Sequence, residues 1–265
     1  MTRPTRGELL HNFAYIALVA IRRTVSYRDA PYLFIVAIAP LLYVLRFRGL
    51  LKTPVGKLRI QRNDILRWSI YGLFKTRFYY TRMLDSTIFK NHARSTILDV
   101  GGNLGDFAMA NADKARTLLS VEPGHENFDI LCSNLSINSL RQVVPLNLAA
   151  HDSYGKLSLV GIGADLRITK FNGGDHVSGA PLDSVLRNHG LERVDLAKID
   201  VQGHELKVLR GLASYLKDHR IGLLIVEIHP NMGPSASDVV AFMDPMGYRL
   251  VATDHISGRP QMYFE

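Results

Sequence analysis

Cysteine is nearly absent from this chain. Cys132 is the single one in 265 residues, which excludes a disulfide framework and any multi-cysteine zinc site. It reads as a small apolar residue on a helix, and its isolation fits a cytosolic active site. No H-x-x-H or C-x-x-C spacing occurs, so no metal is expected on motif grounds. Repeats and low-complexity tracts are missing too. A hydrophobic share of 47% and a charged share of 21% belong to a globular chain without bulk disorder. The length leaves room for one large α/β domain plus a small addition.

Acids are scarce in the first third. Up to residue 82 only Glu8, Asp29 and Asp64 oppose a long series of arginines and lysines, and the net charge of +8 originates there. Such a balance suits an anionic lipid surface, a nucleic acid or an acidic substrate. Two apolar stretches lie in this basic region, Phe13 to Ile21 and Pro31 to Leu45. At ~1.5 Å per residue the second makes a helix of roughly 22 Å, short of a hydrocarbon core of about 30 Å. Pro40 would also kink it. The basic flanks, with Tyr32 and Tyr43, predict that residues 9–48 lie on an anionic membrane surface. The alternative is a helical arm packed on the rest of the chain. No small-residue cleavage pattern follows, so a cleaved leader is not expected. The expected location is cytoplasmic, with the chain peripheral to or anchored in the cytoplasmic membrane.

Residues 54–60 read as a hairpin strand. Ile65 to Tyr80 reads as a helix with an aromatic face. Basic and aromatic residues together can bind single-stranded nucleic acid, but no RNA-binding motif accompanies them, and no nucleic-acid partner is expected. The domain reading is therefore a basic, apolar extension over 1–52, a lead-in hairpin and aromatic helix over 53–92, and a catalytic domain over 93–265.

What the chain does contain is a glycine turn in Ile97-Leu98-Asp99-Val100-Gly101-Gly102-Asn103-Leu104-Gly105. Thr96-Ile97-Leu98 suits a buried parallel strand. The glycines let the backbone turn sharply and approach a ligand, and Leu104 to Ala115 has helical composition. A strand, a glycine turn and a helix form a cofactor cradle of the Rossmann type. The dinucleotide spacing G-x-G-x-x-G is missing, which argues against an NAD-dependent oxidoreductase. Asp99 before the glycines would repel a pyrophosphate but could hold an ammonium group. S-adenosylmethionine (SAM) carries an amine and a sulfonium and no phosphate. The next strand, Leu118 to Glu122, ends in an acid placed to accept hydrogen bonds from both ribose hydroxyls. The cofactor-binding set is thus Asp99, Gly101, Gly102, Asn103, Gly105 and Glu122. Ala149 and Ala150 leave room for the adenine.

The alternation of strands and helices continues to residue 264. Helices are expected at His125–Asn134, Pro181–His189, His204–Leu216 and Ser235–Met246. Strands are expected at Val143–Ala150, Val194–Ile199, Leu223–Ile228, Tyr248–Thr253 and Gln261–Phe264, with Lys156–Val160 as a hairpin extension. Gly161 to Gly179 reads as a mobile loop near the cleft. The pattern predicts a mostly parallel sheet with ligands at the carboxyl ends of its strands. On that rim fall Lys198, Asp200, Glu205, Glu227 and His229.

The blocks ILDVGGNLG, SVEPGHENFDILCSNLSIN, APLDSVL, VDLAKIDVQGHELKVLRG and IVEIHP, in this order, resemble FkbM-type SAM-dependent methyltransferases. The resemblance covers residues 95 to 230, with a weaker echo back to residue 53. It implies a class I methyltransferase Rossmann-like fold: α/β, with a mostly parallel seven-stranded sheet flanked by helices, here preceded by an N-terminal helical apolar extension. It implies O-methylation of a small molecule, sugar or lipid-linked glycan. It also places Asn134 near the cofactor.

Methyl transfer from a sulfonium is an in-line displacement that needs an aligned acceptor oxygen and a proton acceptor. Asp200 could bind the acceptor, act as base or help hold a divalent cation with Glu227. His229 is a candidate base. Glu205 and Glu227 could orient the acceptor or support neighbours. Lys198 could lower the acceptor hydroxyl's pKa or pair with Asp200. Two positions depart from the family pattern: Gly102 replaces Ala, which should loosen the turn, and Gln202 replaces Glu. The second keeps alive an alternative reading, a catalytically impaired SAM-binding or membrane-recruited scaffold.

Overall fold

Six consecutive buried residues, Ser95–Val100, form the strand around which the rest is arranged. The computed structural model describes residues 30–45, 47–60, 95–161, 166–169, 175–229, 232–256 and 259–265. The Phe13–Ile21 stretch and the aromatic Ile65–Tyr80 segment lie outside these residues.

Helix α1 spans Ala30–Val44, followed by hairpin strands β1 (Gly49–Thr53) and β2 (Gly56–Ile60). The central part contains β3 (Ser95–Val100), α2 (Asp106–Asn111), β4 (Ala115–Val121), α3 (His125–Ile137) and β5 (Val143–Leu146). Four short strands follow: β6 (Ala149–Ala150), β7 (Gly155–Val160), β8 (Arg167–Thr169) and β9 (Asp175–Ala180). The C-terminal part adds α4 (Leu182–Asn188), β10 (Val194–Ile199), α5 (Glu205–Gly211), α6 (Ala213–Lys217) and β11 (Ile221–Glu227), then α7 (Ala236–Met243), β12 (Leu250–Ile256) and β13 (Arg259–Phe264).

The main sheet has seven strands in the order β12-β13-β11-β10-β3-β4-β5. It is parallel except for β13, which runs antiparallel to both neighbours. The order reverses between β3 and β10, the switch point where an open α/β sheet leaves a crevice at its carboxyl edge. Alternation along the strands splits the core into two faces. Ile97, Leu118, Leu196 and Ile225 face α2, α3 and the N-terminal hairpin. Leu98, Leu119, Ala197 and Leu224 face α4 to α7.

Two expectations fail locally. The apolar run Val143–Ala150 is two strands in different sheets, because the side chain of Asn147 donates to the carbonyls of Glu122 (2.9 Å) and Pro123 (3.2 Å) and turns the chain between them. The expected loop Gly161–Gly179 contains β8 and most of β9. With β6 and β7 they form a second, four-stranded sheet. Its β7 and β9 pair over five residues, which uses the backbone groups a loop would leave to water.

The N-terminal elements pack on the domain. Ile35 and Ala39 of α1, with Leu51, Leu58 and Ile60 of the hairpin, join the core cluster that contains Ile97 and Tyr263. The opposite side of α1 leaves Phe34, Leu41 and Leu45 exposed. No described helix is long and apolar enough to cross a membrane. The hairpin begins at Gly49, inside the expected extension, and its second strand is clamped by α3. Asn134 accepts from the Arg59 amide (2.8 Å) and donates to the Leu104 carbonyl (2.8 Å). One turn later, Asn138 accepts from the Lys57 amide and donates to the Lys57 carbonyl, both at 2.8 Å.

Asn134 is completely buried, so its loss strands a backbone donor and a backbone acceptor together. Each unsatisfied buried group costs about 1–3 kcal/mol. Urea unfolding of Asn134→Ala should therefore show a loss of about 2–4 kcal/mol, against a few tenths for an exposed control such as Glu192→Ala.

Candidate active site

At the carboxyl ends of β3, β4 and β10 a cleft opens to solvent. Gly101, Asn103, Glu122, Ala149, Ala150 and Asp200 all line it. These are the predicted turn, the predicted ribose acid, the two small residues and the strongest chemical candidate. Leu166, Arg167 and Ile168, from the segment expected to be loop, form part of the wall.

The turn is built by close backbone approaches. The Gly101 and Gly102 amides both donate to the Val121 carbonyl at 2.9 Å. Gly101 has φ +82°, and a Cβ there would collide with the Asp200 carbonyl, so only glycine fits. At Gly102 a Cβ would collide with Ser120 Oγ. The departure from Ala at this position is therefore not a loosening. A neighbouring hydroxyl occupies the space, and it donates to Asp99 (2.9 Å).

Asp99 does not contact the cleft as expected. Its carboxylate is completely buried, held by Ser120 and by the Lys198 ammonium at 3.0 Å. Lys198 also donates to the Gly101 carbonyl (2.7 Å) and lies 4.0 Å from Asp200 Oδ2. Its expected action on an acceptor hydroxyl gives way to fastening β3, β10 and the turn together. Breaking such a buried pair by removing one partner costs about 3–5 kcal/mol. Gly105 caps α2 in a left-handed conformation and packs against Leu131. Asn134 is not in the cleft either, because both ends of its amide are spent on backbone.

Glu122 sits just past β4 with both oxygens engaged. Oε2 accepts from the Asn103 amide (2.8 Å), and Oε1 accepts from the Gly124 amide (2.9 Å) and Asn127 Nδ2 (3.3 Å). Burial raises its pKa from 4.5 to about 6, against the downward pull of these hydrogen bonds and of Lys198. The fixed carboxylate retains lone pairs for a vicinal diol.

The other half of the site lies where β10 and β11 end. Asp200 is part of the cleft, and His229 is buried behind it. His229 Nδ1 is 2.7 Å from Glu205 Oε1, while Nε2 is 3.5 Å from both Asp200 Oδ1 and Glu227 Oε1. Glu205 Oε1 also accepts from the Gly203 amide (3.0 Å) and so fixes the turn that carries Gln202. Gln202 lines the cleft with φ +53°. Arg259 approaches Glu227 at 3.6 Å. Sequence reasoning missed Ser120, Asn127, Arg167 and Gln261. Gln261 is fully buried and pairs in register with Glu227. Its legible signal was an amide inside an otherwise apolar strand.

The fold and cleft define a Rossmann-like α/β domain with a crevice at its switch point, the place where such domains take nucleoside-bearing cofactors. Residues 99–250 match the methyltransferase FkbM domain. The chain belongs to the FkbM family of SAM-dependent methyltransferases, which sets aside the oxidoreductase alternative. It is 29% identical over 140 residues to the hexuronic acid methyltransferase AglP of Haloferax volcanii, covering 51% of this chain and 56% of that protein. It is also 29% identical over 154 residues to the methyltransferase sdnD of Sordaria araneosa, covering 44% and 60%. The chain thus spans a little over half the length of these curated relatives. Among solved structures, Aeropyrum pernix fibrillarin with bound SAM aligns at 16% identity, 66% and 68% coverage and TM-score 0.44. M. capricolum TrmK with S-adenosyl-homocysteine aligns at 12% identity, 69% and 67% coverage and TM-score 0.45. Both scores fall below 0.5, and the family assignment rests on the domain match.

The position of Glu122 generates a pH dependence. A carboxylate accepts from two ribose hydroxyls, and protonation removes acceptor capacity. SAM affinity should be level above neutrality and should fall as pH drops through about 6. Isothermal titration across pH checks this. Glu122→Gln should bind more weakly at pH 8 and lose the step near pH 6.

Proposed function

We propose that this protein transfers the methyl group of SAM to a hydroxyl of a sugar-acid or related glycan-type acceptor. The observation that carries the reading is that Glu122 and Asp200 line one cleft, so a cofactor held by its ribose has the acid-rich rim beside it. In the step, an acceptor oxygen attacks the methyl carbon and the carbon–sulfur bond breaks. The electron pair passes to sulfur, leaving S-adenosyl-homocysteine and a methyl ether. Asp200 orients the hydroxyl and takes its proton as the oxygen–carbon bond forms, with His229 and Glu205 behind it. Gly101, Asn103 and Glu122 hold the cofactor.

The acceptor class draws support from the hexuronic acid methyltransferase among the relatives. Arg167 in the cleft wall supplies a partner for a sugar carboxylate. The impaired-scaffold alternative is less well supported. The acid that fastens the rim turn is Glu205, and Gln202 retains an amide oxygen at the cleft. Transfer of labelled methyl from SAM into fractionated glycans, read by mass spectrometry, should give a methylated uronic acid. Cofactor binding without label in any fraction would overturn the reading, and a large gain with Gln202→Glu would mark the native chain as impaired.

The N-terminal face of α1 belongs to the same reading, as a membrane contact that brings a lipid-linked acceptor near. Phe34, Leu41 and Leu45 recur at helical spacing and are 64%, 58% and 66% exposed. Exposed Arg48, Lys52 and Lys57 follow on the hairpin, the pairing of apolar and basic groups that suits an anionic leaflet. The full chain should sediment with phosphatidylserine-containing vesicles and less with phosphatidylcholine alone. A Phe34→Ser, Leu41→Ser, Leu45→Ser variant should stay in the supernatant, and equal sedimentation of the two chains would remove the membrane contact.

A further inference from the structure

Three side chains converge where β10 and β11 end. Asp200, Glu227 and His229 each offer one donor atom, and these atoms lie within 4.8 Å of one another. Glu205 Oε1 already accepts from the Gly203 amide, and a carboxylate oxygen only accepts. The 2.7 Å contact with His229 is therefore a donation from Nδ1–H. This leaves Nε2 as the ring's remaining donor or acceptor. The ring is fully buried, and Nε2 has no hydrogen-bond partner among the described residues. It faces two carboxylate oxygens at 3.5 Å each. A neutral ring presents them with a lone pair, which is repulsive unless a positive charge lies between.

The distances discriminate. At 3.5 Å the contacts are beyond the ~2.7–3.2 Å of a nitrogen–oxygen hydrogen bond. Two donors each ~2.1 Å from one ion at a tetrahedral angle stand roughly 3.4 Å apart. The Lys198 ammonium lies 3.0 Å from Asp99 and 4.0 Å from Asp200 Oδ2, and Arg259 lies 3.6 Å from Glu227. The Glu205–His229 bond is the carboxylate–histidine arrangement that fixes the tautomer of a metal-ligating ring.

We infer that Asp200, Glu227 and His229 Nε2 bind one divalent first-row cation, Mn²⁺ or Zn²⁺, with Glu205 positioning the ring. The chemical use of this site rests on the methyl-transfer reading; the binding itself does not. Because Asp200 lines the cleft, an open coordination position is within reach of the acceptor. A hydroxyl bound there releases its proton to the Asp200 carboxylate more readily. The resulting alkoxide forms the oxygen–carbon bond as the carbon–sulfur bond breaks.

The test uses chelator-treated full-length protein, titrated with MnCl₂ under electron paramagnetic resonance and with ZnCl₂ in competition, with SAM affinity measured alongside. One site per chain is expected. His229→Ala and Glu227→Gln should each weaken it at least tenfold, and Glu205→Gln by about 10- to 100-fold, with SAM binding retained. Absence of both ions at millimolar concentration, with normal SAM binding, overturns the cation site. Ion binding unchanged in both His229→Ala and Glu227→Gln overturns it as well. A chain that binds the ion but not SAM keeps the site and overturns the methyl-transfer reading instead.

Discussion

The Lys198–Asp99 ion pair, buried between adjacent parallel strands, is the contact on which the site depends. It joins the last turns of β3 and β10 and reaches the Gly101 carbonyl as well. The glycine turn and the acidic rim of the cleft are thereby held in one register. Natural domains are stable by only about 5–15 kcal/mol, so a pair whose disruption costs several is a structural commitment. Ser120 satisfies the second Asp99 oxygen beneath the turn.

Much of the fold was legible because its strands are short apolar runs closed by glycine or acid. Ser95–Val100, Val194–Ile199 and the C-terminal pair fell where composition put them. Glu122 reached the cleft as spacing required, because a parallel strand delivers its last residue to the rim. Residue type alone did not reveal which way each acid points. Asp99 lies one residue inside the end of β3 and Glu122 one residue past the end of β4; one is sealed under the turn and the other lines the cleft. The difference lies in a lysine and a serine from neighbouring strands, contacts set by tertiary register. Asn134 lies away from the cleft for a similar reason: a distant hairpin and the turn backbone claim its amide. The Val143–Ala150 run shows the converse case, where one asparagine outweighs eight residues of β-favouring composition.

The N-terminal elements change what the sheet must cover. Hairpin and helix α1 close one face with Ile35, Ala39, Leu58 and Ile60, so the central strands are not left with an open apolar side. The same helix presents a second apolar side outward. A segment that is half core and half surface cannot drift away from the domain without exposing Ile97 and its neighbours, so whatever engages its outer side also engages the domain.

The contact between Gly102 and Ser120 couples two positions. A methyl group at 102 and the hydroxyl at 120 compete for one small volume. An alanine at 102 would turn that hydroxyl away from its bond to Asp99, so what residue 102 can tolerate is decided at residue 120.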